Sequence, residues 1–116
     1  ENPFYFALPY NDLGEDGKPK ETQKQIPWYQ PTNTTILKNR WIKIIKGGKV
    51  AYAQWEDCGP YEYDDFEYVF GDASPKNSFN GAGLDVSPAV KMYLGLRDSD
   101  RVSWQFVDEK DVPNGP

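Results

Sequence analysis

The chain has no histidine, a single cysteine and fewer basic than acidic residues, and each shortage excludes a class of function. Without histidine, it cannot form a Ser-His-Asp or Cys-His catalytic site or a histidine-ligated metal site. One cysteine excludes an internal disulfide and the paired-cysteine metal motifs. The net charge of −5 argues against a nucleic-acid-binding protein, because phosphate contacts need clustered Lys and Arg. No apolar run approaches the roughly 20 residues that a transmembrane helix needs.

Aromatic and turn-forming residues are abundant instead. Aromatic residues make up 16% of the 116 residues, and there are ten glycines and ten prolines. Long runs with the period of a helix are rare, so the composition favours a single, mostly β domain. We expect about six short strands, one short helix and long loops, with the strands closed into a barrel that hides their edges.

The clearest local signal is a predicted hairpin. Residues 40–45 and 50–55 are rich in β-branched and aromatic residues, and they flank Gly47 and Gly48. Glycine accepts the positive φ angles that tight hairpin turns require. Both arms are apolar on both faces over much of their length, which predicts central strands covered on both sides.

Further strands are predicted at 4–8, 66–70, 84–86 and 102–107, and a long loop is predicted at 9–31. In the last strand, Val102, Trp104 and Phe106 alternate with polar residues and are expected to face the core.

A short helix is predicted after the strand at 84–86. Ser87 is a suitable N-cap, and Pro88 suits the first helical position because its missing N–H is not needed there. Gly95 is a suitable residue for the left-handed position that ends a helix.

Three motifs in this order are similar to a known family. They are Asp57-Cys58-Gly59-Pro60 at a strand end, Leu84-Asp85-Val86-Ser87-Pro88-Ala89-Val90, and Tyr93-Leu94-Gly95-Leu96 before the final strand. This order resembles the double-psi β-barrel domain of the rare lipoprotein A family, over residues 35–107. The resemblance implies a barrel core at 35–107 with an insert at 61–83, a strand and long loop at 1–34 packed on the barrel, and a loose tail at 108–116.

The resemblance also implies a polysaccharide-directed function, with peptidoglycan as the typical substrate, and an exported, periplasmic or cell-surface location. By resemblance, Asp57 is the general acid of a lytic transglycosylase or glycoside hydrolase, and Asp85 matches a second aspartate of the family pattern. Glu56, beside Asp57, is a candidate supporting residue together with Asp85. A carboxyl whose pKa is raised by an apolar or acidic setting can protonate a glycosidic oxygen. The family's upstream histidine has no counterpart here, so reduced or lost catalysis and a non-catalytic carbohydrate-binding module stay open as alternatives. Asp57 and Asp85 also have a structural alternative, because Asp commonly caps turns and helix ends.

Aromatic residues in the predicted loops are candidates for stacking on sugar rings. The predicted substrate-binding residues are Trp28, Tyr29, Tyr61, Tyr63 and Asp64. No cofactor or metal is expected, because the acidic residues at 62–72 lack the spacing of a calcium loop. A third function class is a structural or protein-interaction domain that contacts a partner through the insert at 61–83.

Overall fold

The computed structural model describes residues 2–58, 64–71, 83–97 and 100–113, and the strands among them form one five-stranded sheet. The strands are β1 (Tyr5–Leu8), β2 (Trp41–Lys46), β3 (Lys49–Cys58), β4 (Asp85–Val86) and β5 (Ser103–Val107). The α-helices are α1 (Phe66–Val69) and α2 (Pro88–Leu94), and short 3-10 helices lie at Glu21–Gln25 and Glu109–Asp111. None of the helices in these ranges is long and apolar enough to cross a membrane.

The predicted hairpin is confirmed as the antiparallel pair of β2 and β3. Its register runs from Trp41 opposite Gln54 to Lys46 opposite Lys49. Gly47 has φ of +59°, a backbone conformation that residues with a Cβ atom adopt only at an energetic cost. β3 continues to Cys58, beyond the end predicted from the sequence.

The sheet has the strand order β4-β1-β3-β2-β5. β1 and β3 are parallel, and the other three pairs are antiparallel. The described strands therefore confirm a mostly β fold, but they form an open sheet with β4 and β5 at its edges. Neither barrel closure nor a sixth strand is found in the part of the chain that the structure describes.

The predicted strand at 66–70 was wrong, because these residues form α1 and its C-terminal cap. Phe66 and Phe70 are four positions apart, so one helical turn brings their rings to 5.1 Å between centroids. Both rings also contact Tyr10 edge-on. An alternation of only five residues fits a helical turn as well as a strand, and here the contact with Tyr10 favours the helix.

The predicted helix is confirmed as α2. The Ser87 hydroxyl accepts a hydrogen bond from the Val90 amide at 3.3 Å, and Pro88 occupies the first turn. Gly95 ends the helix in the left-handed conformation. The Ser87 hydroxyl also donates to the Pro3 carbonyl and accepts from the Tyr5 amide, so the cap attaches α2 to β1.

One face of the sheet, the core face, packs against both helices. Ala51 and Ala53 are small and buried at the centre of β3, and they belong to the same buried cluster as Val90 and Leu94 of α2. The aromatic side of the core face is built from rings of different elements, including Trp28, Trp55, Phe70 and Phe106. Trp104 and Phe106 also pack against the buried cluster, as the alternation in the last strand predicts.

The segment before the hairpin is held to the core by a buried carboxylate. Asp12 is fully buried and accepts hydrogen bonds from Gln23 Nε2, Thr35 Oγ1 and the Ile36 amide, at 2.9, 2.6 and 2.8 Å. The Ile36 carbonyl in turn accepts from Trp28 Nε1 at 2.7 Å. This network orders a stretch that local sequence patterns predict as a loop.

Candidate functional site

The other face of the sheet, the second face, carries aromatic and amide side chains. Alternation along the strands assigns to it Tyr5, Ala7, Trp41, Lys43, Ile45, Val50, Tyr52, Gln54, Ser103, Gln105 and Val107. None of its apolar members belongs to the buried cluster or packs against it, whereas both described α-helices contribute to that cluster. The second face is therefore a separate surface from the core.

Two neighbouring rows of residues form the centre of the second face. The first row runs Tyr5, Gln54, Trp41 and Val107 across β1, β3, β2 and β5, and the second runs Tyr52, Lys43 and Gln105. Neighbouring strands are about 4.8 Å apart, so the Cα atoms of Tyr5 and Trp41 lie about 10 Å apart. Tyr52 lies one row further along β3, between them. The result is a surface with aromatic residues on three adjacent strands.

Within the described ranges, the aromatic polar atoms of the second face have no hydrogen-bonding partner. Among the described contacts, the hydroxyls of Tyr5 and Tyr52 make no hydrogen bond. Trp41 Nε1 is shielded from solvent and also lacks an acceptor. A shielded donor without an acceptor costs about 1–3 kcal/mol.

Gln54 is fixed, in contrast to those aromatic groups. Its Oε1 accepts from Asn2 Nδ2 at 3.1 Å, and its Nε2 donates to the Asn39 carbonyl at 3.3 Å. Because both ends of the amide are engaged, Gln54 acts as a rigid spacer between Tyr5 and Trp41. Gln105 is exposed on the neighbouring row and is available to hydrogen-bond a ligand.

The backbone register brings Asp57 and Asp85 into one row, which we call the acidic row. Ala7 of β1 is opposite Asp57 of β3 on one side and Asp85 of β4 on the other. With Ala7 between them, the two Cα atoms lie about 10 Å apart. Ala7 faces the same side as Tyr5, so the acidic row adjoins the aromatic rows at the end of β1.

The carboxylates near this row have distinct surroundings. Burial raises the pKa of the Asp85 carboxyl above its ordinary value of 3.8. Glu56 is exposed and is the extra residue of β3 where the register with β1 shifts. Of Asp57 the structure describes the backbone position only, so its predicted role as the acid stays a prediction.

Trp28 and Tyr29, predicted as loop platforms, are both partly buried. The Trp28 ring contacts Phe70 and Phe106, and the Arg40 guanidinium lies 4.1 Å from its centroid. These contacts occupy Trp28 in packing on the core side, so the geometry gives no support for stacking on sugar there.

Asp64 pairs with residues of the N-terminal loop. Its carboxylate contacts Lys20 Nζ at 2.8 Å, and its backbone bridges to Tyr10. Tyr61 and Tyr63 lie outside the described residues, as does most of the insert at 61–83. In the ranges that are described, no three metal-ligating side chains converge.

Sequence reasoning missed Tyr5, Trp41 and Tyr52. The hairpin carries part of this signal, because Trp41 and Tyr52 alternate with its buried residues, whereas Tyr5 lies in β1. The pattern predicts burial on both faces, although a ligand-binding surface produces the same pattern.

Comparison of the chain with protein-family models, with curated proteins and with solved structures finds no match in any of the three. Membership of the rare lipoprotein A family therefore stays a prediction.

Proposed function

We propose that this chain is a polysaccharide-binding domain and that it binds glycan on the second face. The observation that carries the proposal is the set of Tyr5, Trp41 and Tyr52 on three adjacent strands, outside the core. Sugar rings have apolar C–H faces and hydroxyl edges, so they suit aromatic rings flanked by hydrogen-bonding groups. The tyrosine hydroxyls and the Gln105 amide supply those groups.

The charge distribution favours a glycan over a nucleic acid. Single-stranded nucleic acid also stacks on aromatic rings, but its binding sites add a positively charged groove along the backbone. The two aromatic rows contain one cation, Lys43, and the net charge of the chain is −5. A polymer with one negative charge per residue would meet little compensation on this protein.

The extent of the surface favours a polymer over a small ligand. Small molecules bind in concave pockets that enclose most of their surface. The two rows extend over four strands, which suits a chain that lies along the sheet.

Glycan cleavage is a second candidate function, and the acidic row favours it. Inverting glycosidases hold two carboxyl groups about 6.5–9.5 Å apart, and the backbone spacing of Asp57 and Asp85 is compatible with that range. In this version of the proposal, Asp57 is the acid, as the resemblance implies, and Asp85 and Glu56 support it. A place among the rare lipoprotein A-like double-psi barrels, peptidoglycan as the substrate and an exported location belong to the same proposal.

Binding is tested by incubating the protein with insoluble cellulose, chitin and peptidoglycan and with soluble glycans, followed by calorimetry on any that bind. Trp41→Ala and Tyr52→Ala should each weaken binding by about tenfold, since a lost aromatic contact of this size is worth about 1.4 kcal/mol. Tyr93→Ala is the matched control, because Tyr93 is a half-exposed aromatic residue on α2. If no glycan binds, or if only Tyr93→Ala weakens binding, the proposal fails.

Cleavage is tested by measuring sugars released from any bound polymer. Asp57→Asn and Asp85→Asn should abolish release and leave binding in place, whereas Asp16→Asn, at an exposed turn, should change neither. Release that persists in Asp57→Asn would remove the acid assignment. Binding without release from the unmodified protein would leave the binding-module form of the proposal.

A further inference from the structure

We infer that a second copy of this chain pairs with the outer edge of β5 in antiparallel orientation and joins two sheets into one. The inference is independent of the proposed function, because it rests on an edge strand and not on what the second face binds. It follows from the open side of β5, from the side chains that the pairing brings together, and from the charges that flank the strand.

The outer edge of β5 lacks the usual protection against strand pairing. Within residues 2–58, 64–71, 83–97 and 100–113, β5 pairs with β2 on one side, and no strand or backbone hydrogen bond lies on its other side. Edge strands are commonly protected by charged side chains, proline, a β-bulge or very short length. β5 has five residues with no charge and no proline, and its register with β2 is unbroken. The opposite edge is better protected, because β4 has only two residues.

Two copies of β5 are complementary when the antiparallel pair is centred on Gln105. Gln105 is then opposite Gln105 of the second copy, Trp104 is opposite Phe106, and Ser103 is opposite Val107. Each unlike pair occurs twice, because a two-fold axis relates identical antiparallel strands. This register pairs all of β5, whereas a shift to either neighbouring centre would leave its ends unpaired. The backbone groups that point outward from β5 gain hydrogen-bonding partners across the axis.

The pairing also covers aromatic surface at the end of the core face. Trp104 and Phe106 contact each other edge-on, with 5.4 Å between ring centroids, and Phe106 stacks on Phe70. Both remain only partly buried, because β5 is the last described strand on this side of the sheet. Aromatic residues that face each other across an antiparallel pair stabilise it. A second copy supplies this contact at two places.

The charges that flank β5 are complementary in the same register. Arg101 lies two residues before the strand and Glu109 lies two residues after it, so the pairing puts Arg101 of each copy opposite Glu109 of the other. Both side chains are exposed, and the extended backbone of Asp108 continues the strand direction up to Glu109. Opposite charges on facing residues stabilise a strand pair, and symmetry places this contact at both ends.

The length of β5 predicts a weak dimer. Stable interfaces bury about 1,200–2,000 Å² in total, and two five-residue strands supply less than that. We therefore expect a dissociation constant of about 100 μM. Facing residues lie on the same side of a sheet, so the two-fold axis is perpendicular to it. The second faces of both copies then lie on one side, and the dimer extends that surface without covering it.

Sedimentation equilibrium at increasing protein concentration tests the inference. The average mass should rise from that of the monomer toward twice that value. Gln105→Lys puts two ammonium groups opposite each other at the axis and should weaken self-association by about fivefold. Gln30→Lys is the matched control, because it adds the same charge at an exposed loop position. An equimolar mixture of Gln105→Lys and Gln105→Glu should associate more tightly than either variant alone, since opposite charges then face each other.

Amide hydrogen exchange locates the contact, because the β5 amides should exchange more slowly at high protein concentration. A chain that stays monomeric at about 1 mM would overturn the inference and leave the polysaccharide-binding function untouched. Equal weakening by Gln105→Lys and Gln30→Lys would also overturn it, since net charge would explain both. A dimer in which β5 exchange is unchanged must use another surface and would overturn it as well. A chain that dimerises through β5 but binds no glycan would confirm the inference and overturn the proposed function alone.

Discussion

Replacing Asp12 with alanine should destabilise the domain more than any loop substitution nearby. Asp12 is fully buried and accepts three hydrogen bonds, one each from Gln23, Thr35 and Ile36. After truncation, Gln23 Nε2 keeps its contact with the Thr34 carbonyl. The Ile36 amide and the Thr35 hydroxyl lose the acceptor that the structure gives them.

The magnitude follows from those two donors. A buried donor left without an acceptor costs about 1–3 kcal/mol, so the expected loss is about 3–5 kcal/mol once the small cavity is included. Small domains have total stabilities of about 5–15 kcal/mol, so this is a large fraction. With a urea slope of about 1–3 kcal/mol per molar, the unfolding midpoint should fall by about 2 M.

Two further variants make the prediction specific. Asp12→Asn keeps the shape and one acceptor oxygen, and its amide can donate to the Thr35 hydroxyl, so we expect a loss of only about 1 kcal/mol. Asp16→Ala is the control, because the Asp16 carboxylate accepts from the Lys18 amide at an exposed turn of the same loop. Urea unfolding followed by far-UV circular dichroism measures all three. If Asp12→Ala loses no more stability than Asp16→Ala, the network does not hold the loop.

Three other substitutions test separate features by the same unfolding assay. Gly95→Ala should lower the free energy of unfolding by about 1 kcal/mol, because Gly95 has φ of +68°. Gly48→Ala should leave it nearly unchanged. Equal effects of the two substitutions would contradict the role of the left-handed cap. Ser87→Ala should lower the free energy of unfolding by about 1–3 kcal/mol, because the buried Ser87 hydroxyl joins α2 to β1. Ser103→Ala, at an exposed strand position, should lower it much less. Asp85→Asn should stabilise the domain at neutral pH, because burial raises the pKa of the Asp85 carboxyl and folding thus disfavours its charged form. That stability advantage should vanish as the pH falls below 3.8, the ordinary pKa of an Asp carboxyl. An advantage that grows on acidification would show that the pKa of Asp85 is lowered by folding and not raised.

Local chemistry was sufficient to predict the hairpin and α2. Gly47 marks the turn through its backbone conformation, and Ser87 and Gly95 mark the two ends of the helix. Each of these signals acts within a few residues. Phe66 and Phe70 were misassigned because their spacing fits both a strand and a helical turn, and the deciding contact with Tyr10 is distant in sequence.

The candidate site was harder to predict because long-range pairing creates it. Tyr5 comes to lie beside Trp41 and Tyr52 only when β1 pairs with β3 in parallel. No local sequence pattern predicts that pairing. The same pairing sets Asp57 and Asp85 on either side of Ala7, although they lie in separate motifs of the sequence. A hydrophobic pattern specifies which residues share a face, but it does not say whether another layer covers that face.

The parallel pairing of β1 with β3 also has a consequence for the order of folding. β1 precedes both of its neighbours in the chain, and Tyr5 pairs with Gln54 about 50 positions later, whereas the β2–β3 hairpin joins adjacent segments. Contacts between distant segments form slowly because a long loop must close first. We therefore expect the hairpin to form early and β1 to dock late, so a nascent chain would assemble the aromatic surface last. Until then the edge of β3 is open, which makes the interval before β1 docks the time of greatest exposure to mispairing with another chain.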